Sequence, residues 1–384
     1  MRTLPSLSEV REANSSFPYS KPMQEWKDQG KKVIGWICTY VPEEIIHAAG
    51  FLPVRLTGDV EELPLGEATS HLYHTTCTPM RTCFQLALDG KYGFLDGFAH
   101  GSACDQSRRL FDMWCHFTPT PFAHSLHVPG RLTEKAETLY RKEVVKFKEH
   151  VEEFFGVKIT TDALRNSIAI YDETRRLLRQ LYDLGKLDSP PVTGAEHIEI
   201  LNAAVRMPKE QFNPLLRKLL QEARERAGSS APTTEGTVRL MMNGAMLNNP
   251  QLVELVEELG GRVVVDEHCT TIHYFWDLVD LQDSQDPIEA LSRRYFFHWP
   301  CARMHEREDR FERVMSLVKE YRVQGVISDI IRYCATYAFD QPALKDELES
   351  KGIPLLQLDI EYGVGKSGQI KTRVQAFLEM IRGD

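Results

Sequence analysis

The residues of this 384-residue chain best suited to chemistry are its eight cysteines, and their positions are not scattered. Cys38 follows the apolar run Val33-Ile34-Gly35-Trp36-Ile37, which reads as a buried strand, and precedes Pro42-Glu43-Glu44, which reads as the first turn of a helix closed by Gly50. A thiol in such a strand-to-helix turn faces unpaired amides. They should lower its pKa and favour the thiolate, the form that attacks electrophiles or binds metal. An inert buried cysteine is the plainer alternative. Cys77, Cys104, Cys269, Cys301 and Cys334 also fall at strand ends or just before helices. Random core filling would not place six thiols so, whereas the carboxyl ends of parallel strands are where open α/β sheets build their sites. Cys83 and Cys115 fall within or at the end of helices and read as packing.

Absence of any Cys-x-x-Cys pair argues against a zinc ribbon or a cluster with local ligand spacing, so any metal group must gather distant ligands. Cys38, Cys77 and Cys334 occupy the same kind of turn. Three thiolates converging between two domains suit a [4Fe-4S] cluster with one iron left open; structural cysteines or a zinc site are the alternatives.

The elements that must position these thiols alternate. Strands are expected at Val33 to Ile37, Leu52 to Leu56 and Phe94 to Gly101, with helices from Pro79 to Gly90 and from Gln106 to Trp114. From about residue 132 to 227 the pattern turns helical, with Val144, Phe147, Val151, Phe154 and Phe155 at helical spacing and Ser189-Pro190-Pro191 as a loop. Residues 228 to 236 have a linker's composition. Alternation then resumes, with strands at Val238 to Met242, Gly261 to Val265, Gly325 to Ile331 and Ile353 to Leu358. Helices are expected at Pro250 to Leu259, Glu306 to Tyr321, Pro342 to Ser350 and Ser367 to Ile381. The predicted fold is α/β: two Rossmann-like parallel-sheet domains, residues 1–130 and 231–384, with a helical middle domain at 131–230. The two α/β halves share a plan but no residue-level repeat.

Composition narrows the function classes. Hydrophobic residues make up 42%, charged residues 26%, and the net charge is −9, an ordinary acidic soluble chain with no basic tract for nucleic acid. No apolar run reaches the roughly 18 residues of a membrane helix, and Met1-Arg2-Thr3-Leu4-Pro5 lacks a signal-peptide core. A cytoplasmic location is expected, where eight cysteines are not disulfide staples.

Cys38-Thr39-Tyr40-Val41-Pro42-Glu43-Glu44, with Ala48-Ala49-Gly50 and Leu52-Pro53-Val54-Arg55-Leu56, resembles the opening signature of the 2-hydroxyacyl-CoA dehydratase and benzoyl-CoA reductase family. The resemblance continues through Phe94-Leu95-Asp96-Gly97, Cys104-Asp105, the stretch from Asp266 to Phe275, Trp299-Pro300-Cys301, Arg332-Tyr333-Cys334 and Gly368 to Arg373. It implies one [4Fe-4S] subunit of an anaerobic, radical-type acyl-CoA enzyme, an oxidoreductase or a lyase, acting by one-electron ring reduction or by ketyl-radical dehydration. It also implies a related second subunit or a second copy as partner, a separate ATP-hydrolysing iron–sulfur activator and an acyl-CoA thioester substrate. The ligands it implies are Cys38, Cys77 and Cys334. A related branch holds a double-cubane [8Fe-9S] cluster and reduces small molecules as a homodimer, which would make Cys269 and Cys301 additional ligands. Two departures stand out: Ala335 follows Cys334 where the family commonly has Asp, and Asn243-Gly244-Ala245 stands where that branch tends to carry another cysteine. A non-catalytic scaffold subunit is a further alternative.

Other candidates are less specific. Glu43 and Glu44, beside Cys38, could handle protons or orient substrate; as first-turn carboxylates they also suit the helix dipole. His47 could face the same cavity, and Asp105 reads as an N-cap. Tyr274, Phe275, Trp276, Tyr295, Phe296, Phe297 and Trp299 could line an aryl or acyl pocket, or pack as core. His71, His74, His268 and His273 have no metal-binding spacing. Gly363-Val364-Gly365-Lys366-Ser367-Gly368 fails the phosphate-loop pattern, which places ATP on a partner.

Overall fold

A computed structural model describes residues 4–58, 63–229, 236–362 and 367–383. The near-phosphate-loop residues 363–366 and linker residues 230–235 lie outside the described residues. Among those described, eight strands form two all-parallel four-stranded sheets. The first holds β1 (Val33–Ile37), β2 (Leu52–Arg55), β3 (Gly97–Ser102) and β4 (Phe122–His127) in the order β2-β1-β3-β4. The second holds β5 (Val238–Gly244), β6 (Gly261–His268), β7 (Gly325–Ile331) and β8 (Leu355–Ile360) in the order β6-β5-β7-β8. The orders are identical in plan, so each sheet changes winding direction beside its first strand, and ligands of such sheets gather at the carboxyl ends there.

The central strands β1 and β7 are covered on both faces and read as continuous apolar runs: all five residues of β1 and all seven of β7 are buried. Between the sheets in sequence come the helices Glu134–Phe155, Thr161–Asp183, Gly194–Ala204 and Lys209–Ser229. Tyr140, Val144, Phe147 and Val151 recur at helical spacing and bury one face of the first of these in a core shared with the first sheet and with the C-terminal half. Phe154 stays exposed.

Expected and observed elements differ in places that matter for the thiols. The helix expected from Pro342 runs over Ala335–Ser350 instead, with Pro342 inside it, so Cys334 itself is the N-cap. Cys104, not Asp105, caps the helix Asp105–Phe117, its sulfur accepting from the Ser107 amide at 3.5 Å. β3 begins three residues later than its apolar lead suggests, because Asp96 turns aside to accept from the Val33 amide and to pair with Lys27 at 2.8 Å each. β4 has no counterpart in the expected elements.

Candidate functional site

The carboxyl ends of β1, β2 and β3 face those of β5, β6 and β7 across a partly open cavity of about 110 Å³. Cys38, Cys77, Cys104, Cys269, Cys301 and Cys334 all line it. Cys38 leaves β1, Cys77 caps the helix Thr78–Leu88, and Cys104 follows β3. Cys269 follows β6, Cys301 sits in the loop after the helix Pro287–Phe297, and Cys334 follows β7. Each sheet thus contributes three thiols. All eight cysteines are free, with Cys83 fully buried in the core and Cys115 exposed on a helix surface instead of packed.

The backbone is specialised at two of these positions. Cys38 has φ 81° and Tyr333, just before Cys334, has φ 66°, a left-handed conformation that costs a non-glycine residue about 1–3 kcal/mol. Gly101 on β3 leaves Cys38 its room: a Cβ there would lie 3.1 Å from the Cys38 Cβ and 3.4 Å from its sulfur.

Electrostatics overturn one expectation from the sequence. Burial pushes the Cys38 thiol up to about 12 despite a favourable contact with the Tyr40 amide, and burial does the same to Cys301 and Cys334. Cys77 and Cys269 also rise through burial, the latter opposed by Arg55. Desolvation outweighs the turn amides, so these five thiols are neutral until a cation enters, and binding one must release protons.

The rest of the wall is selective. Ile37, Leu56, Pro79, Met80, Met246 and Ile331 make it apolar; among the described residues Arg55 and Arg303 are its charged side chains and no carboxylate lines it. Arg303 is tethered through the carbonyls of Val128 and Pro129 at 3.1 and 3.2 Å. Tyr337 is buried at the wall, and its hydroxyl has no hydrogen-bond partner. Burial first, then the nearby Glu267 carboxylate and Cys301 thiol, raise that hydroxyl well above the ordinary range, so it keeps its proton.

Behind Cys269 the ends of β5 to β7 hold a dense ion network. Glu267 accepts from Arg310 at 2.7 and 2.9 Å and from the Trp299 indole at 3.0 Å. Burial alone would raise its carboxyl; Arg310 and His273 reverse this and hold it at about 2. His268 bonds Asp329 at 2.8 Å and lies 3.6 Å from Asp266. His268 is raised to about 10 because Asp329 and Asp266 outweigh its burial, whereas burial lowers His273, which hydrogen-bonds Glu267 at 2.5 Å.

Glu43 and Glu44 are not among the lining residues. Glu44 pairs with Arg175 at 2.5 Å and accepts from the Tyr295 hydroxyl at 2.7 Å, and Arg175 also meets Asp172 at 3.0 Å. Glu43 is buried; burial raises its pKa, opposed by Lys209. His47 bonds Ser167 and Glu210, away from the thiols. The aromatic stretch packs as core, with Tyr274, Phe275, Tyr295, Phe296 and Trp299 buried, and none of it lines the cavity. Arg55, Arg303 and Tyr337 are among the polar wall residues that sequence reasoning did not single out. Arg55 stood within a quoted motif, but its partner is 214 positions away.

Residues 38–381 match the family described as 2-hydroxyglutaryl-CoA dehydratase, D-component. The chain belongs to this family. YjiM of Escherichia coli (strain K12), named as a dehydratase subunit, is 28% identical over 367 residues, covering 94% of each chain. A benzoyl-CoA reductase subunit of Thauera aromatica is 27% identical over 367 residues, again 94% of each. The beta subunit of lactoyl-CoA dehydratase from Anaerotignum propionicum is 26% identical over 365 residues, covering 94% and 95%. Membership makes this an enzyme-family subunit, and the matched span begins at the first cavity cysteine. No helix among the described residues is long and apolar enough to cross a membrane.

Proposed function

We propose that this chain is the iron–sulfur subunit of an ATP-activated, one-electron reductase or dehydratase system, and that its cavity holds a double-cubane cluster on six cysteines. The observation that carries this is the donor set: six thiols from the two halves on one cavity, with two arginines and no carboxylate among the described lining residues. A zinc ion takes four ligands, fewer than the six sulfurs on this cavity. All-sulfur ligation suits iron–sulfur chemistry, and six exceeds the three an open cubane needs. The missing cysteine after β5 falls at Ala245 on this wall, and Cys104 restores the count from the other sheet.

Bound there, such a group would supply single electrons at low potential. The protein's own part is to keep the pocket dry with Ile37, Leu56, Met80 and Ile331, to offset negative charge with Arg55 and Arg303, and to hold a proton on the Tyr337 oxygen beside the thiols. ATP hydrolysis is assigned to a separate activator, and a second subunit or a second copy completes the enzyme, in keeping with the subunit names of the relatives.

A second reading keeps a single [4Fe-4S] cluster on Cys38, Cys77 and Cys334 in an acyl-CoA dehydratase or benzoyl-CoA reductase subunit, and the names of the relatives favour it. Iron and acid-labile sulfide on anaerobically purified protein separate the two. About eight irons per chain, reduced by Cys104→Ser, Cys269→Ser or Cys301→Ser, is the expected result. About four irons, untouched by those three variants and lost with Cys38→Ser, Cys77→Ser or Cys334→Ser, would replace it with the single cubane. No iron in folded protein would sink both.

A further inference from the structure

Arg55 ends β2 in the first half, yet its guanidinium reaches Cys269 in the second. It donates to the Cys269 carbonyl at 2.8 Å and to the Cys269 sulfur at 3.4 Å. The group lies 5.1 Å over the Trp36 ring and is almost fully buried. Among the described residues no carboxylate stands within ion-pair distance of it, unlike Arg175 and Arg310, which each meet two. A buried guanidinium without an anion is costly, and among the described residues the side chain faces the cavity it lines. Its carbonyl bond and its stacking fix the fork in place before anything binds. Arg differs from Lys in that the planar fork can hold the carbonyl and the sulfur at once.

We propose that Arg55 is a positioning residue that fixes Cys269 as a thiolate ligand and raises the reduction potential of the group bound through it. This rests on the six-cysteine iron–sulfur reading of the cavity, in which Cys269 is a ligand. A hydrogen bond and a positive charge at a ligand sulfur stabilise the more negative, reduced state, so the charge at Arg55 makes electron uptake easier. It also ties the carboxyl ends of the two sheets across the cavity, which sets the reach between the two sets of three thiols.

The test compares wild type with Arg55→Gln and Arg55→Lys on anaerobically reconstituted full-length chain. Iron and sulfide content, circular dichroism and an EPR-monitored redox titration are read for each. Arg55→Gln is expected to keep its fold and show a midpoint displaced to more negative potential by about tenfold in the reduction equilibrium, which is 59 mV for a one-electron couple. Arg55→Lys should fall between. Loss of iron from Arg55→Gln with native circular dichroism also supports the assignment; if that variant fails to fold, the lysine variant decides by the same titration. Full iron with an unmoved midpoint overturns the proposal while leaving the iron–sulfur reading intact. Wild-type protein that folds but binds no iron sinks that reading instead.

Discussion

Replacing Glu44 separates a structural carboxylate from a catalytic one. Glu44 is fully buried, and its two oxygens are used up by the Arg175 guanidinium at 2.5 Å and the Tyr295 hydroxyl at 2.7 Å. Arg175 keeps one other carboxylate, Asp172 at 3.0 Å, which itself holds the amides of Val279 and Asp280 at 3.0 and 2.9 Å, and one neutral acceptor, the Tyr295 hydroxyl at 3.2 Å. Glu44→Ala therefore leaves a buried cation with half its compensation and a buried hydroxyl without an acceptor. Removing one member of such a pair costs about 3–5 kcal/mol, against about 0–1 kcal/mol for an exposed pair. Glu44→Gln keeps the shape and some hydrogen bonds, so its cost should be about 1.5–3 kcal/mol. Urea unfolding of the metal-free, reduced chain measures both as a fall in midpoint at constant slope. In a cycle with Arg175→Met, the double variant should lose less than the two single losses together, because neither charge is then left alone. Iron content of the loaded protein should be unchanged in Glu44→Gln. A Glu44→Ala chain within about 1 kcal/mol of wild type that nonetheless lacks activity would refute this reasoning and restore Glu44 as a catalytic group.

Three further outcomes are expected. Gly101→Ala should displace Cys38, since the new Cβ meets its Cβ at 3.1 Å; a cost of about 1–3 kcal/mol and reduced iron loading are expected, read by urea midpoint and iron assay. His124, whose Nδ1 lies 2.9 Å from that of His150, is held down to about 4 by burial and by that neighbour. Its folded pKa lies below the ordinary 6.5, so the unfolded chain takes the proton first: its contribution is complete above pH 6.5 and is lost as the pH falls towards 4, by at most about 1.4 kcal/mol per unit. The difference between unfolding midpoints at pH 7.5 and 5 should shrink in His124→Phe; an unchanged difference would contradict this. Finally, iodoacetamide at pH 8 on native metal-free protein should label exposed Cys115 well before Cys38, Cys77, Cys269, Cys301 and Cys334, as peptide mass spectrometry can follow.

Local pattern made much of the fold legible. β1 and β7 fall where their apolar runs predict, and the strand-to-helix turns around six cysteines are enough to place them at one end of the sheets. Long-range partners were not legible. Glu44 meets Arg175 131 positions away and Arg55 meets Cys269 214 away, so neither pairing could be read from the motif next to Cys38. Pro342 misled for a different reason. Proline suits a first turn, and here it lies in the second turn of a helix that Cys334 already starts. β4 was hidden because Phe122–His127 carries two histidines and a serine and is only partly buried at the sheet edge.

Identical strand orders give the thiols an arrangement that no residue repeat announces. In the first half a thiol follows the first strand (Cys38), another caps the helix between the second and third strands (Cys77), and the last follows the third strand (Cys104). In the second half Cys301 lies between the second and third strands and Cys334 follows the third, matching Cys77 and Cys104 in position. The place that would match Cys38 is the turn after β5, where Ala245 lines the cavity, and the thiol comes one strand over, from Cys269 after β6. That displaced sulfur is the one that receives the Arg55 guanidinium. The departure from symmetry and the charged donor thus coincide, so the two triplets of cysteines are chemically unequal, and a group bound across them would meet a more positive environment on the Cys269 side.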